Sequence, residues 1–479
     1  MTYLGINLTR PSEFNSEFAS SNYFKYSSQW YALDIATGWS HDTRPLALDA
    51  DGNVMALLQS QVAQCNLWQS IAPLGQPLGQ YTLIYDGEAV IQISGATVVS
   101  SATGGLIFDL VHAGPVIVRL MSVNPANYPR NIQVRNVNDP VVGTQQNPAA
   151  WNKKFVDSIT PFKRLRFMQS MGIDEDGGHT TSWASRPGPN VSRWSRPYGM
   201  PIESIVDLCN LTGAEPWICV PHMATDDYVS NLGLYLAQNL NGTGKIWIEW
   251  SNEVWHGAYP QSAYATQQGL AMGLSTSPQM ARTLYTALRA NQVFSILGPI
   301  LGSRLVRVLG SFLYQPILSR TLLQHCPCDA LAVAPYAGEF TETSAELAHV
   351  DSLTVDQLHA EIAQIDIPQT LYDVGLHAAM AHTAGVQLVG YEGGIELVGS
   401  NYTAMGDATL NALYEAMSGD PRMGDLTAQL LNGLPPQGMS SVMWYSHCYP
   451  DRVFDRFGAR KTLNAQGPVY TALLPFAAQ

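Results

Sequence analysis

Basic residues are scarce in this chain. Its 479 residues hold 25 Lys and Arg against 38 Asp and Glu, a formal net charge of −13 at pH 7. No Lys/Arg cluster offsets that deficit, which argues against nucleic acid or an anionic membrane as partner and is easier to reconcile with a neutral ligand. Cysteine is sparse too. The six thiols, Cys65, Cys209, Cys219, Cys326, Cys328 and Cys448, are too few and too scattered for a disulfide scaffold. Cys326-Pro327-Cys328 lacks both the spacing and the second pair of a zinc site, so all six read as buried thiols. No apolar run reaches the roughly 18 residues needed to span a bilayer. The opening Met1-Thr2-Tyr3-Leu4-Gly5 has neither the basic stretch nor the apolar core of a leader. As it stands the sequence therefore reads as cytoplasmic, and as secreted or periplasmic only if a leader has been removed. Internal repeats, low-complexity tracts and charged linkers are also lacking.

What is present is material for a large core. Hydrophobic residues make up 46% of the chain and charged ones only 13%, a balance that excludes disorder and allows one large core or two packed domains. Over residues 1–135 the pattern is of short β-type runs cut by Gly, Pro and Asp, at 81–85, 89–93, 105–110 and 116–120, as expected of a β-sandwich-like module. From Asn131 onward strands alternate with helices, which predicts parallel β/α units. Eight strand candidates follow, at 132–137, 164–168, 216–221, 246–250, 304–309, 330–334, 386–390 and 441–445. Eight closes a barrel, so the fold expected is α/β: a (β/α)8 TIM barrel over 136–479 with an N-terminal β-sandwich-like module. Residues 3–8 also read as a barrel-opening strand, in which case the sandwich is an insertion between strands 1 and 2.

The run Ile246-Trp247-Ile248-Glu249-Trp250 delivers Ser251-Asn252-Glu253 to its C-terminal end, the end at which such barrels keep their chemistry. A second buried run ends in Gly390-Tyr391-Glu392-Gly393-Gly394. A single Glu after an apolar strand is ordinarily a solvated loop residue. Two at strand ends fit glycoside hydrolysis, in which one carboxyl protonates the leaving oxygen and the other attacks or activates water.

Ser251-Asn252-Glu253 followed by Gly390-Tyr391-Glu392 resembles the strand-4 and strand-7 signature of the clan A retaining glycoside hydrolases, cellulase-like bacterial proteins among them. The resemblance runs from about residue 130 to 450 and takes in Arg166, Tyr336 and Trp444 at three further strand ends. It implies that Glu253 is the acid/base and Glu392 the nucleophile. It further implies that Arg166 keeps Glu392 ionised, Asn252 binds the sugar 2-hydroxyl, Tyr336 orients the nucleophile and Trp444 floors the sugar site. His222 after strand 3 matches a polar substrate contact, and Trp255 and His256 could line the same cleft. The plainer alternatives are a rim salt bridge for Arg166, a buried ring for Tyr336 and a core histidine for His222.

The activity implied is retaining hydrolysis of a β-linked neutral polysaccharide or oligosaccharide, with a β-glucan the leading substrate. Part of the complement of 11 Trp and 22 Tyr would stack on sugar faces. The alternative is a non-catalytic glycan-binding protein on a vestigial barrel. No cofactor is expected, and no metal, because His222, Glu253 and His256 lack a zinc-binding pattern. Other barrel-loop carboxylates are Asp174, Glu175, Asp176, Asp226, Asp227, Glu339 and Glu396; the Asp174–Asp176 run reads as a solvated turn. The N-terminal module reads as a structural partner of the barrel rather than a glycan binder.

Overall fold

The computed structural model describes residues 4–69, 75–147, 150–338, 341–450, 453 and 456–477, with the side chains of Asp176 and Gly177 excepted. The chain opens with β1 (Leu4–Asn7), buried throughout. It then leaves for a module of two antiparallel sheets. The module's main strands are β2 (Tyr31–Asp34), β3 (Gln61–Trp68), β4 (Gly79–Asp86), β5 (Ala89–Ser94), β6 (Thr97–Ala102), β7 (Gly105–Leu110), β8 (Val116–Val123) and β9 (Arg130–Asn136). One sheet runs β9-β4-β7-β6. The other runs β2-β3-β8-β5, with Ser40–His41 at its edge. Their inner faces meet through rings: Trp68 of β3 packs against Tyr81 of β4 at 5.6 Å, and Tyr23 touches both.

The chain then returns to the barrel through β10 (Arg164–Arg166), β11 (Glu215–Val220), β12 (Ile246–Trp250), β13 (Leu305–Gly310), β14 (Ala330–Val333), β15 (Gln387–Gly390) and β16 (Met439–Trp444). The eight strands β1 and β10–β16 pair in parallel and close, with β16 returning to β1. The first barrel strand is thus Leu4–Asn7, and the stretch 132–137 is not a barrel strand. It forms β9, which pairs antiparallel with β4. The reason is in its side chains: Ile132 and Val134 are buried while Gln133 and Arg135 are not, the one-sided alternation of a sandwich strand. Barrel strands are covered on both faces, and β12 is buried at all five positions.

Helices supply the outer layer. The turn after β12 leads into α1 (Pro260–Ala271), which carries the wholly buried Gln261 in its first turn. The long α2 (Pro278–Leu301) follows, started by the Ser277 side chain, which accepts from the Met280 amide. Among the described residues no helix is long and apolar enough to cross a membrane. All six cysteines are free and buried.

Candidate active site

Arg166 ends β10 and is wholly buried. Its Nη1 donates to Asn7 Oδ1 at 3.2 Å and Glu392 Oε1 at 2.8 Å, and its Nη2 to Glu249 Oε2 at 2.9 Å and Asn252 Oδ1 at 2.6 Å. One guanidinium therefore ties together the ends of β1, β12 and β15. Breaking a buried ion pair costs about 3–5 kcal/mol, so this arrangement is rigid. Asn7 completes the tie, its amide donating to the carbonyls of Tyr391, Met443 and Trp444 at 3.1–3.3 Å.

The turn after β12 is unusual backbone. Ser251 and Glu253 have φ of 62° and 41°, a conformation that costs on the order of 1–3 kcal/mol per non-glycine residue and gathers at functional sites. It lets neighbouring side chains face different partners. Asn252 reaches Arg166 and also donates to Asp174 at 3.0 Å, whereas Glu253 Oε1 accepts from the Tyr391 hydroxyl at 2.9 Å. Gln261 braces the turn from α1, donating to Asp174 at 2.7 Å and to the Asn252 carbonyl at 2.8 Å.

Glu392 is 6% exposed. Besides Arg166 it accepts from the Tyr336 hydroxyl at 2.9 Å. Burial raises its carboxyl to about 7 against the downward pull of Arg166 and Tyr336. Burial raises Glu253 well above the ordinary range, and the nearby charges of Glu392 and Asp174 push it further in the same direction, with only the Tyr391 hydroxyl and a weaker pull from Arg166 opposing them. A shared proton therefore resides on Glu253, leaving Glu392 ionised. Chemically the site offers a neutral acid and a buried carboxylate held by a fixed cation.

The remaining sequence candidates have other side-chain partners, and His256 meets Glu253 through the backbone, its N–H donating to the Glu253 carbonyl at 2.8 Å. His222 is 2% exposed and packs against His179 and Tyr264 at 5.1 and 5.3 Å. Burial lowers it to about 4, with His179 adding to the shift, so it is a neutral imidazole in a ring cluster. Trp255 stacks on Phe312 at 3.9 Å and 16°, and His256 lies against Tyr259 at 4.6 Å. Trp444 is 2% exposed, which leaves little ring for a sugar; Tyr445, next along the chain, is more accessible and faces Tyr336 edge-on.

Two further carboxylates matter. Asp174 is half-buried and bonded to Asn252 and Gln261, and burial raises it to about 6; it is not a solvated turn residue. Glu249 lies inside β12, where its Oε2 accepts from Arg166 and from Trp217 Nε1 at 3.0 Å, and Gly310 on β13 leaves it room, since a Cβ there would sit 2.6 Å from Glu249 Oε1. A carboxylate within an apolar strand run was the available signal. Of the other loop carboxylates, Asp226 pairs with Arg289 at 2.7 Å and burial raises Glu396 to about 7. Glu339 and the Asp176 side chain lie outside the described residues.

A Ser158–His447–Glu17 array has hydrolase-like distances, 2.9 Å from His447 Nε2 to Ser158 Oγ and 2.8 Å from Nδ1 to Glu17. It is no second active site. All three residues are buried, and Ser158 donates its proton to the Phe155 carbonyl at 2.7 Å.

No protein-family profile and no curated protein matches the chain. Solved structures similar to it include an arabinofuranosidase of family 51 from Xanthomonas axonopodis pv. citri, at 12% identity over 65% of this chain and 63% of that one, TM-score 0.35. A second is the family 51 α-L-arabinofuranosidase AbfB of Bifidobacterium longum, at 13% identity over 71% and 70%, TM-score 0.41. A third is the N-terminal part of the endo-1,4-β-D-xylanase 10B of Clostridium thermocellum, at 9% identity over 95% of both chains, TM-score 0.37. The chain spans less than two thirds of the Xanthomonas enzyme's matched structure. Likenesses of this order carry no argument about chemistry, which rests on the side chains around Arg166.

Proposed function

We propose that the protein is a retaining glycoside hydrolase of β-linked neutral polysaccharide or oligosaccharide, with a β-glucan as the leading substrate. One observation carries this reading: two glutamates at the ends of β12 and β15 are raised by burial but differently partnered, Glu392 by Arg166 and Tyr336 and Glu253 by Tyr391. That pairing suits double displacement. Glu253 gives its proton to the glycosidic oxygen as Glu392 attacks the anomeric carbon; the C–O bond breaks, the alcohol leaves and a glycosyl ester forms on Glu392. Glu253, now a carboxylate, takes a proton from water, whose oxygen attacks the same carbon and releases Glu392. Asn252, fixed between Arg166 and Asp174, supplies a positioned amide beside the acid, suited to the sugar 2-hydroxyl.

A neutral substrate is consistent with the net charge of −13, which would repel a polyanion. The test is to incubate purified protein with a panel of β-linked glucans, mannans, galactans and xylans, read reducing ends, and follow the first-formed anomer by proton NMR. Reducing ends released in the β configuration support the reading. An α first product rules out retention, and no release from any member of the panel rules out the activity.

A further inference from the structure

The β-module is inserted where β1 leaves the barrel, at the same end as Glu253 and Glu392, because all eight barrel strands run parallel. Its junction with the barrel forms an open cleft of about 530 Å³, within the roughly 300–1,000 Å³ of small-ligand sites. Four stretches line it, one of them Asn66 on β3. Arg10 and Phe14 come from the segment after β1, Gln29, Trp30 and Tyr31 from the entry to the module, and Arg196 from the loop after β10.

The lining suits a neutral sugar. Phe14 and Tyr31 offer half-buried rings, and Gln29, Ser28 and Asn66 add neutral polar groups. The two guanidiniums are already matched, since Arg10 and Arg196 both pair with Glu175, and Glu13 adds a carboxylate to the wall. No uncompensated positive charge is left to call for an anion. Glu175 follows directly on Asp174, which accepts from Asn252 beside Glu253, so one loop serves the cavity wall and the surroundings of the carboxylate pair.

We propose that this cavity is a distal subsite in which the module holds a neutral sugar unit of a glycan whose scissile bond lies between Glu253 and Glu392. The inference rests on the glycosidase reading above. It gives the insertion a reason to sit between barrel strands 1 and 2, and it reverses the expectation from sequence that the module is only structural.

The test measures binding, so it does not depend on turnover. Cellohexaose, xylohexaose and mannohexaose, and the matching disaccharides, are titrated by calorimetry into full-length Glu253→Gln protein, alone and combined with Gln29→Trp or Tyr31→Ala. Gln29→Trp fills the cavity from an exposed position, and Tyr31→Ala removes a ring. The best-bound hexasaccharide is expected to lose about tenfold in affinity in both variants, in line with loss of a ring contact, while its disaccharide changes by less than twofold. Unchanged hexasaccharide affinity in Gln29→Trp overturns the subsite. So does an equal loss for both lengths, or no binding of any hexasaccharide. Length-dependent loss together with no cleavage by the wild type would uphold the cavity as a glycan site and remove only the glycosidase reading.

Discussion

The turns after strands β12 and β15 each present a glutamate, and burial raises both carboxyls. What separates them is the company each keeps. Glu392 faces a buried guanidinium and a tyrosine hydroxyl; the Glu253 carboxyl accepts from a tyrosine hydroxyl, and it lies within reach of the charges of Glu392 and Asp174. Burial alone would make two weak acids. A cation placed against one of them divides the pair into an ionised carboxylate and a protonated acid, and the account of function depends on that division.

The largest effect expected is at β15. Glu392→Gln should lower turnover of every glycoside by roughly 10⁴-fold or more, because no covalent intermediate can form. Glu253→Gln should be selective. Cleavage of natural glycan should fall by about 10²–10⁴-fold, the usual worth of general acid catalysis, while an aryl glycoside with a good leaving group still forms the intermediate in a stopped-flow burst. Equal losses on both substrates would erase the distinction between the two strand ends.

Two substitutions should move the pair in opposite directions. In the wild type, kcat/KM should rise with pH through about 7 as Glu392 ionises and fall at higher pH as Glu253 loses its proton. Glu249→Gln removes the second carboxylate from Arg166, leaves more of its charge to Glu392, and should move the rising limb down by about half to one unit. Tyr336→Phe removes a donor to Glu392 and should move that limb up by about half a unit. A purely structural role for either residue would change the rate and leave the limb in place.

The smallest effect is on stability. The raised Glu253 carboxyl holds a proton when folded that the unfolded chain releases near 4.5. Its contribution is complete below that pH and is lost as pH climbs through the folded value. Glu253→Gln should therefore melt about 1–3 °C above wild type at pH 8 and level with it at pH 4 by calorimetry.

Much of this was legible in the chain. The run Ile246–Trp250, apolar except for Glu249, announces a strand covered on both faces, and Glu253, proposed as the acid, follows it. Arg166, Asn252 and Tyr336 were legible through resemblance, and the structure brings all three onto the carboxylate pair or its guanidinium. The rest depends on contacts distant in sequence. Ile132 and Val134 mark one buried face and say nothing of whether a helix or a second sheet covers it. Leu4–Asn7 finds its neighbour, Arg164–Arg166, only after the whole module has intervened. Glu249 is tolerable inside β12 only because Arg166 and Trp217 come to it from two other strands. Trp444 stands at the expected strand end, but it is buried, with Gly394 from beyond β15 close against its ring.

Azide trapping tests the division between Glu253 and Glu392 most directly. With an activated aryl β-glycoside, azide should restore turnover to Glu253→Ala and give a β-glycosyl azide, since the intermediate on Glu392 is intact and a small anion replaces the water that Glu253 would have activated. With Glu392→Ala, azide should fill the place of the lost nucleophile and give the α-glycosyl azide. The reverse stereochemistry, or no loss of activity in either variant, would contradict the roles assigned to the two strand ends.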